Sequence, residues 1–84
     1  MEEKEIGKII HFFGKLGVGI IELSGDLRVG DKVRIKGHSS DLTETVASIQ
    51  IEHAVVDAGK PGDKVGITVQ GKVHEHDKVY KIIE

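Results

Sequence analysis

Apolar residues in this chain recur at every second position in short runs, and each run ends at glycine or a small polar cluster. Alternation of that kind places apolar side chains on one face of an extended strand and polar ones on the other. Residues 6–13 alternate loosely and are rich in β-branched and aromatic side chains, which predicts a first strand. Gly14-Lys15-Leu16-Gly17 reverses the chain, and residues 18–23 form a second strand. A third covers residues 32–36 and runs into the loop Gly37-His38-Ser39-Ser40-Asp41. Residues 43–53 form the longest candidate, with Thr45, Ala47, Ile49 and Ile51 on one face and Glu44, Ser48, Gln50 and Glu52 on the other. Val46 interrupts that order. Val55-Val56 suggests a short strand, Val65, Ile67 and Val69 mark the apolar face of the next, and residues 78–83 close the chain. No useful window carries the 3.6-residue apolar period of a helix.

One phrase recurs three times: Val29-Gly30-Asp31-Lys32-Val33, Pro61-Gly62-Asp63-Lys64-Val65 and Glu75-His76-Asp77-Lys78-Val79. Glycine, or a residue tolerant of positive φ, reverses the backbone, Asp hydrogen-bonds its own turn, and Lys leads into an apolar run. The uneven spacing of the copies excludes a solenoid. The expected fold is all-β: a small closed antiparallel barrel of six or seven strands, Greek-key-like, since closure removes the sheet edges so short a chain could hardly protect. Residues 1–84 read as a single domain, with residues 1–4 expected to be disordered.

Composition narrows the function. Twelve basic residues against 14 acidic leave a formal net charge of −2, which argues against a general nucleic-acid coat. Without cysteine there is neither disulfide nor thiolate metal site, which fits a cytoplasmic compartment. No apolar run approaches the ~20 residues of a membrane helix, and the acidic start, Met1-Glu2-Glu3-Lys4-Glu5, does not read as a signal peptide. Abundant Lys and Glu, no Asn and only two Gln form the bias of heat-adapted proteins.

Lys32, Arg34 and Lys36 alternate with Val33 and Ile35 and should project from one strand face, with Lys15 presented on the Gly14–Gly17 turn. Such a stripe can grip phosphates or a protein partner, or can simply be a solvated outer face. Phe12 and Phe13 are expected in the core. His74 and His76 share the spacing of a metal pair but lack further ligands nearby, so they read as exposed loop histidines. Ser24, Ser39, Ser40 and Ser48 lie in no nucleophile elbow. No enzyme, cofactor or metal is expected.

The run Gly25-Asp26-Leu27-Arg28-Val29-Gly30-Asp31-Lys32-Val33 resembles the hallmark of the β-barrel second domain of translational GTPases, the elongation factor Tu-like barrel. Gly37, Thr45-Val46-Ala47-Ser48-Ile49-Gln50, and Ala58 with Pro61-Gly62-Asp63-Lys64-Val65-Gly66-Ile67 are similar in the same order, so the likeness spans residues 6–82. The GTPase phosphate loop has no counterpart, and Gly19-Ile20-Ile21-Glu22 lacks the family's basic residue at that strand. The closing segment, Val73 with Asp77-Lys78-Val79-Tyr80-Lys81-Ile82, is also similar to the barrel appended to collagenase-like peptidases, a group that includes tRNA-modification proteins. These resemblances imply a non-catalytic, ribosome- or RNA-associated module in translation, with tRNA, rRNA or a translation protein as partner and neither DNA nor membrane. The alternative is an accessory subunit acting in trans with a separate GTPase or tRNA-modifying enzyme.

Overall fold

In the computed structural model, which describes residues 2–38 and 41–83, the three copies of the turn phrase fold alike. Each is a four-residue turn: Arg28-Val29-Gly30-Asp31, Lys60-Pro61-Gly62-Asp63 and His74-Glu75-His76-Asp77. The Asp N–H donates to the carbonyl of the first residue at 3.0, 3.0 and 3.1 Å. The first residue's N–H donates back to Asp Oδ2 at 2.9, 3.0 and 2.9 Å. The third residue holds positive φ, 95° at Gly30, 94° at Gly62 and 77° at His76, as a type II turn requires. In every copy the third residue's N–H and the Asp carbonyl then clasp both backbone groups of one buried aliphatic residue on a neighbouring segment. Those residues are Val46, Leu23 and Ile9, with all six bonds between 2.7 and 2.9 Å. The phrase is therefore a clamp as well as a turn: it satisfies backbone groups that no strand ladder reaches. The Val after each Lys, Val33, Val65 and Val79, is fully buried.

Positive φ costs a residue with a Cβ about 1–2 kcal/mol. Gly30→Ala and Gly62→Ala should thus each destabilise by about 1 kcal/mol, although an added Cβ meets nothing within 4 Å. His76→Gly should be neutral to stabilising by up to about 1 kcal/mol in thermal melts, despite the usual cost of glycine.

Ten strands carry the described residues: β1 Glu2–Phe13, β2 Val18–Leu23, β3 Leu27–Arg28, β4 Lys32–Lys36, β5 Asp41–Thr45, β6 Ile49–Ile51, β7 Ala54–Val56, β8 Ala58–Gly59, β9 Lys64–Thr68 and β10 Lys78–Ile83. The all-β expectation holds: every ladder is antiparallel, and among the described residues no helix is long and apolar enough to cross a membrane. The expected closed barrel does not. One eight-stranded sheet runs β5-β4-β10-β1-β2-β9-β6-β7, and β3-β8 forms a separate two-stranded ladder. The sheet curls around a single core that includes Ile9, Ile21, Val33, Ile35, Ile49 and Ile67, but its end strands β5 and β7 share no ladder among the described residues.

Val46 supplies the physical reason. The expected strand over 43–53 is two strands, because Val46 turns into the core at 2% exposure and its backbone bonds the first turn. Pairing resumes only at Ile49. From β5, the Glu44 carboxylate instead accepts the N–H of Gln70, just past β9. Residues 2–4, expected to be disordered, belong to β1: Glu2, Glu3 and Lys4 pair with Ile83, Ile82 and Lys81. Met1 lies outside the described residues, as do Ser39 and Ser40.

Candidate docking surface

The basic residues come first. Lys32, Arg34 and Lys36 do share the outer face of β4, while Val33 and Ile35 point inward. Arg34 is committed to its neighbours: its Nε and one terminal nitrogen grip the Asp41 carboxylate at 2.8 Å each, and the other donates to Glu3 at 3.0 Å. The same face pairs Lys78 with Glu5 at 3.6 Å. The stripe is thus interleaved with acids from β1 and β5. Lys36 stands exposed opposite Lys78 in the ladder. Lys15 lies apart, exposed in the β1–β2 turn, with β10 and β1 between it and β4 in the sheet order.

The Arg34 fork holds Asp41 below its ordinary pKa, chiefly through the hydrogen bonds, and raises Arg34's own further. A carboxylate whose folded pKa is depressed adds stability above its unfolded pKa of about 3.9 and loses it as pH falls through the lower folded value. Asp41→Asn should therefore flatten the acid limb of the stability profile below about pH 4. An unchanged limb in pH-dependent urea melts would show that the pair contributes nothing there.

The histidine and serine candidates stay scattered. His74 Nδ1 lies 3.9 Å from Asp77 Oδ2, and among the described residues no three metal-capable groups converge. Ser24 and Ser48 occupy separate segments.

Across the sheet from the basic face, β2, β9 and β6 build a furrow. Gly19, Ile21, Val65, Ile67 and Ile49 point inward, so Val18, Ile20, Gly66 and Gln50 form the outer surface. Ladder pairing sets Ile20, Gly66, Gln50 and Val55 in one row across four strands. Gly66 leaves the floor of that row low. A Cβ there would lie 3.3 Å from Ile20 Cδ1 and 3.4 Å from Val18 Cγ1, which lean over the gap. Phe13 and Leu16 stand at one end, Lys64 on the rim, and Glu52 and His53 at the other end, around an open volume of about 460 Å³. Leu16 is 72% exposed and Phe13 44%. Phe13 is therefore not the core residue its type suggests, whereas Phe12 packs against the core. A contiguous apolar surface of this kind marks an interaction site more often than an isolated exposed leucine does.

The far end of the furrow is strained. Glu52 and His53 form the two-residue link between β6 and β7 with φ of 49° and 69°. Two successive positive φ values describe the hairpin turn usually given to Asn-Gly. Sequence reasoning missed this surface because a β-strand with one exposed apolar face reads like one with one buried apolar face. The sign that was available is Gly66 within Val65-Gly66-Ile67, a glycine inside a strand, which often marks a close approach by something else.

No protein-family model matches the chain. It is 40% identical over 81 residues to a Methanocaldococcus jannaschii protein named an uncharacterised protease, a match covering 95% of this chain and 20% of that protein. It is 35% identical over 78 residues to a Porphyromonas gingivalis collagenase, covering 90% of this chain and 22% of the relative. The chain thus spans about a fifth of the length of the curated relatives it matches. Among solved structures, the C-terminal domain of a putative U32 peptidase from Geobacillus thermoleovorans superposes with a TM-score of 0.89 at 19% identity, over 95% of this chain and 93% of that one. Its selenomethionine variant gives 0.86 at the same identity, over 90% and 96%. These similarities correct the likeness to the second domain of translational GTPases. Turn-and-strand phrases are dictated by the reversal and clamp geometry, so they recur wherever such a small sheet must fold, and the relatives carry protease and collagenase names instead. The likeness of the closing segment to collagenase-like peptidases agrees with them. The tRNA and rRNA partners were implied by the resemblances and do not follow from these names.

Proposed function

We propose that this chain is a non-catalytic accessory domain of a peptidase-type protein, working beside a separate catalytic body. The observation that carries the reading is the near-complete match of this chain to one fifth of a protein named a protease. Two features of the site support it. Among the described residues no group of three or more His, Asp, Glu or Cys side chains is placed to hold a metal ion. Asp77, the buried acid at 5% exposure, has one carboxylate oxygen on the His74 N–H and the other packed over Gly37, so it is a structural group and no candidate for acid–base work.

The test is a hybrid in which this chain replaces the matched stretch of the Porphyromonas gingivalis relative. The isolated chain should hydrolyse no gelatin, and the hybrid should retain the gelatin hydrolysis of its parent within a few-fold. Hydrolysis by the isolated chain, or a folded hybrid without activity where the parent is active, would overturn the reading.

A further inference from the structure

We propose that the furrow across β2, β9 and β6 is the seat of the catalytic body, taking up a row of its aliphatic side chains, with an acidic group meeting Lys64 and a basic group meeting Glu52. The inference rests on the accessory-domain reading and adds the surface and its occupant. Four observations on this chain converge on that face.

The row Ile20, Gly66, Gln50 and Val55 crosses four strands without a charged residue, and Phe13 and Leu16 extend it past the sheet end. Gly66 lets Ile20 Cδ1 and Val18 Cγ1 fold over the sheet, 3.3 and 3.4 Å from where a Cβ would stand, so these two side chains form the aliphatic floor that a partner meets. The rim supplies one charge of each sign: neither Lys64 nor Glu52 forms an ion pair among the described residues, whereas Lys8 and Glu22 on the neighbouring strands face each other at 4.0 Å. The outer surface over β4, β10 and β1 offers such a partner less, because Arg34, Glu3, Asp41, Lys78 and Glu5 already pair with one another.

The occupant follows from size. About four fifths of each curated relative lies outside the matched stretch, so in those proteins the domain is tethered to a much larger body. Tethering makes docking intramolecular, with an effective concentration in the millimolar range for short linkers, and a furrow of this size then suffices where it would not hold a free partner. A free protein complex needs about 800 Å² from each side, a large share of the 5396 Å² this chain exposes.

The absence of cysteine from the chain makes a direct test possible. Leu16→Cys and, away from the furrow at the end of β4, Lys36→Cys are placed singly in the isolated chain and in a full-length hybrid with the Methanocaldococcus jannaschii relative, and maleimide labelling of each is followed by mass spectrometry. Both sites are exposed, so both should label rapidly in the isolated chain. In the hybrid, Leu16→Cys should label at least tenfold more slowly and Lys36→Cys at an unchanged rate. As a second measurement, Leu16→Asp should leave the melting of the isolated chain unchanged and lower the melting temperature of the β-domain in the hybrid. Equal labelling of Leu16→Cys in both settings, or protection of Lys36→Cys instead, overturns the furrow as the seat while leaving the accessory-domain reading intact. Slow labelling of Leu16→Cys in the isolated chain that depends on its concentration would make a second copy the occupant and likewise overturn the proposal. A hybrid that does not melt cooperatively removes the accessory-domain reading and the furrow's occupant with it.

Discussion

Ile9→Ala should cost about 3–5 kcal/mol, the upper part of the range for emptying a fully buried aliphatic site. Ile9 has no exposed surface, and β1 is paired on both sides, with β10 and with β2. Its Cδ1 lies over Gly19 of β2, 3.4 Å from the point where a Cβ would stand, and the ladders on both sides resist the backbone shift that would fill the space. The residue has a second duty. Its N–H donates to the Asp77 carbonyl at 2.7 Å and its carbonyl accepts the His76 N–H at 2.8 Å, so a β1 loosened by the cavity also loosens the third clamp. Against a total stability of about 4–13 kcal/mol for a domain of this length, the loss would remove roughly a quarter or more. Leu16→Ala, at 72% exposure, is the control and should change stability by no more than about 0.5 kcal/mol. Denaturant melts of the two variants that gave equal midpoints would refute this account of the core.

Most of the strand set is legible in the sequence, because the alternation and the three turn phrases reinforce one another. Residues 18–23, 32–36 and 78–83 are strands as their pattern requires. What the pattern hides is parity. Strict alternation from Ile6 would place Ile6, Lys8, Ile10 and Phe12 on one face, but the register of β1 shifts between Glu5 and Gly7 and again between Ile9 and His11. Each bulge inserts one unpaired residue and exchanges the faces beyond it. Ile9 consequently points inward, while the second shift restores the original parity and leaves Phe12 against the core and Phe13 outside, beside the furrow. Lys8 and His11, both exposed and three residues apart, are the only local hint.

The two-residue strands β3 and β8 are invisible for another reason: they are too short for any period, and only the packing of Leu27 beside Gly59 defines them. The site was the least legible part. A cationic stripe is conspicuous in a sequence, but the acids that neutralise Arg34 come from Glu3 and Asp41, 31 and 7 residues away, and only the sheet order brings them together. Closure failed to be legible at a single residue. Val46 breaks the alternation of residues 43–53, and its burial marks where that run divides into β5 and β6.

Gly37→Ala should be the other severe change, and it is diagnostic because its cause is one contact. A Cβ at Gly37 would stand 1.8 Å from Asp77 Oδ1 and 2.5 Å from the carboxylate carbon. That carboxylate cannot swing aside cheaply: Asp77 is 5% exposed, and its Oδ2 holds the His74 N–H at 2.9 Å. Moving it breaks a part-buried, charge-assisted bond, costing about 1–3 kcal/mol, and forcing the backbone apart adds overpacking strain of about 1–3 kcal/mol. The expected loss is about 3 kcal/mol or more, with the thermal midpoint falling by 10 °C or more at about 4–8 °C per kcal/mol. Asp77→Ala alone should cost about 2 kcal/mol, since it unmakes one charge-assisted bond of the clamp. In the double variant the obstructing carboxylate is gone, and with it the three atoms nearest the alanine methyl at 37. The double loss should fall short of the sum of the single losses by about 1–3 kcal/mol, the size of coupling that contacting residues show in double-mutant cycles. Strict additivity would mean that the intolerance at position 37 arises from the backbone itself, and the third clamp would then be independent of the strand end it covers.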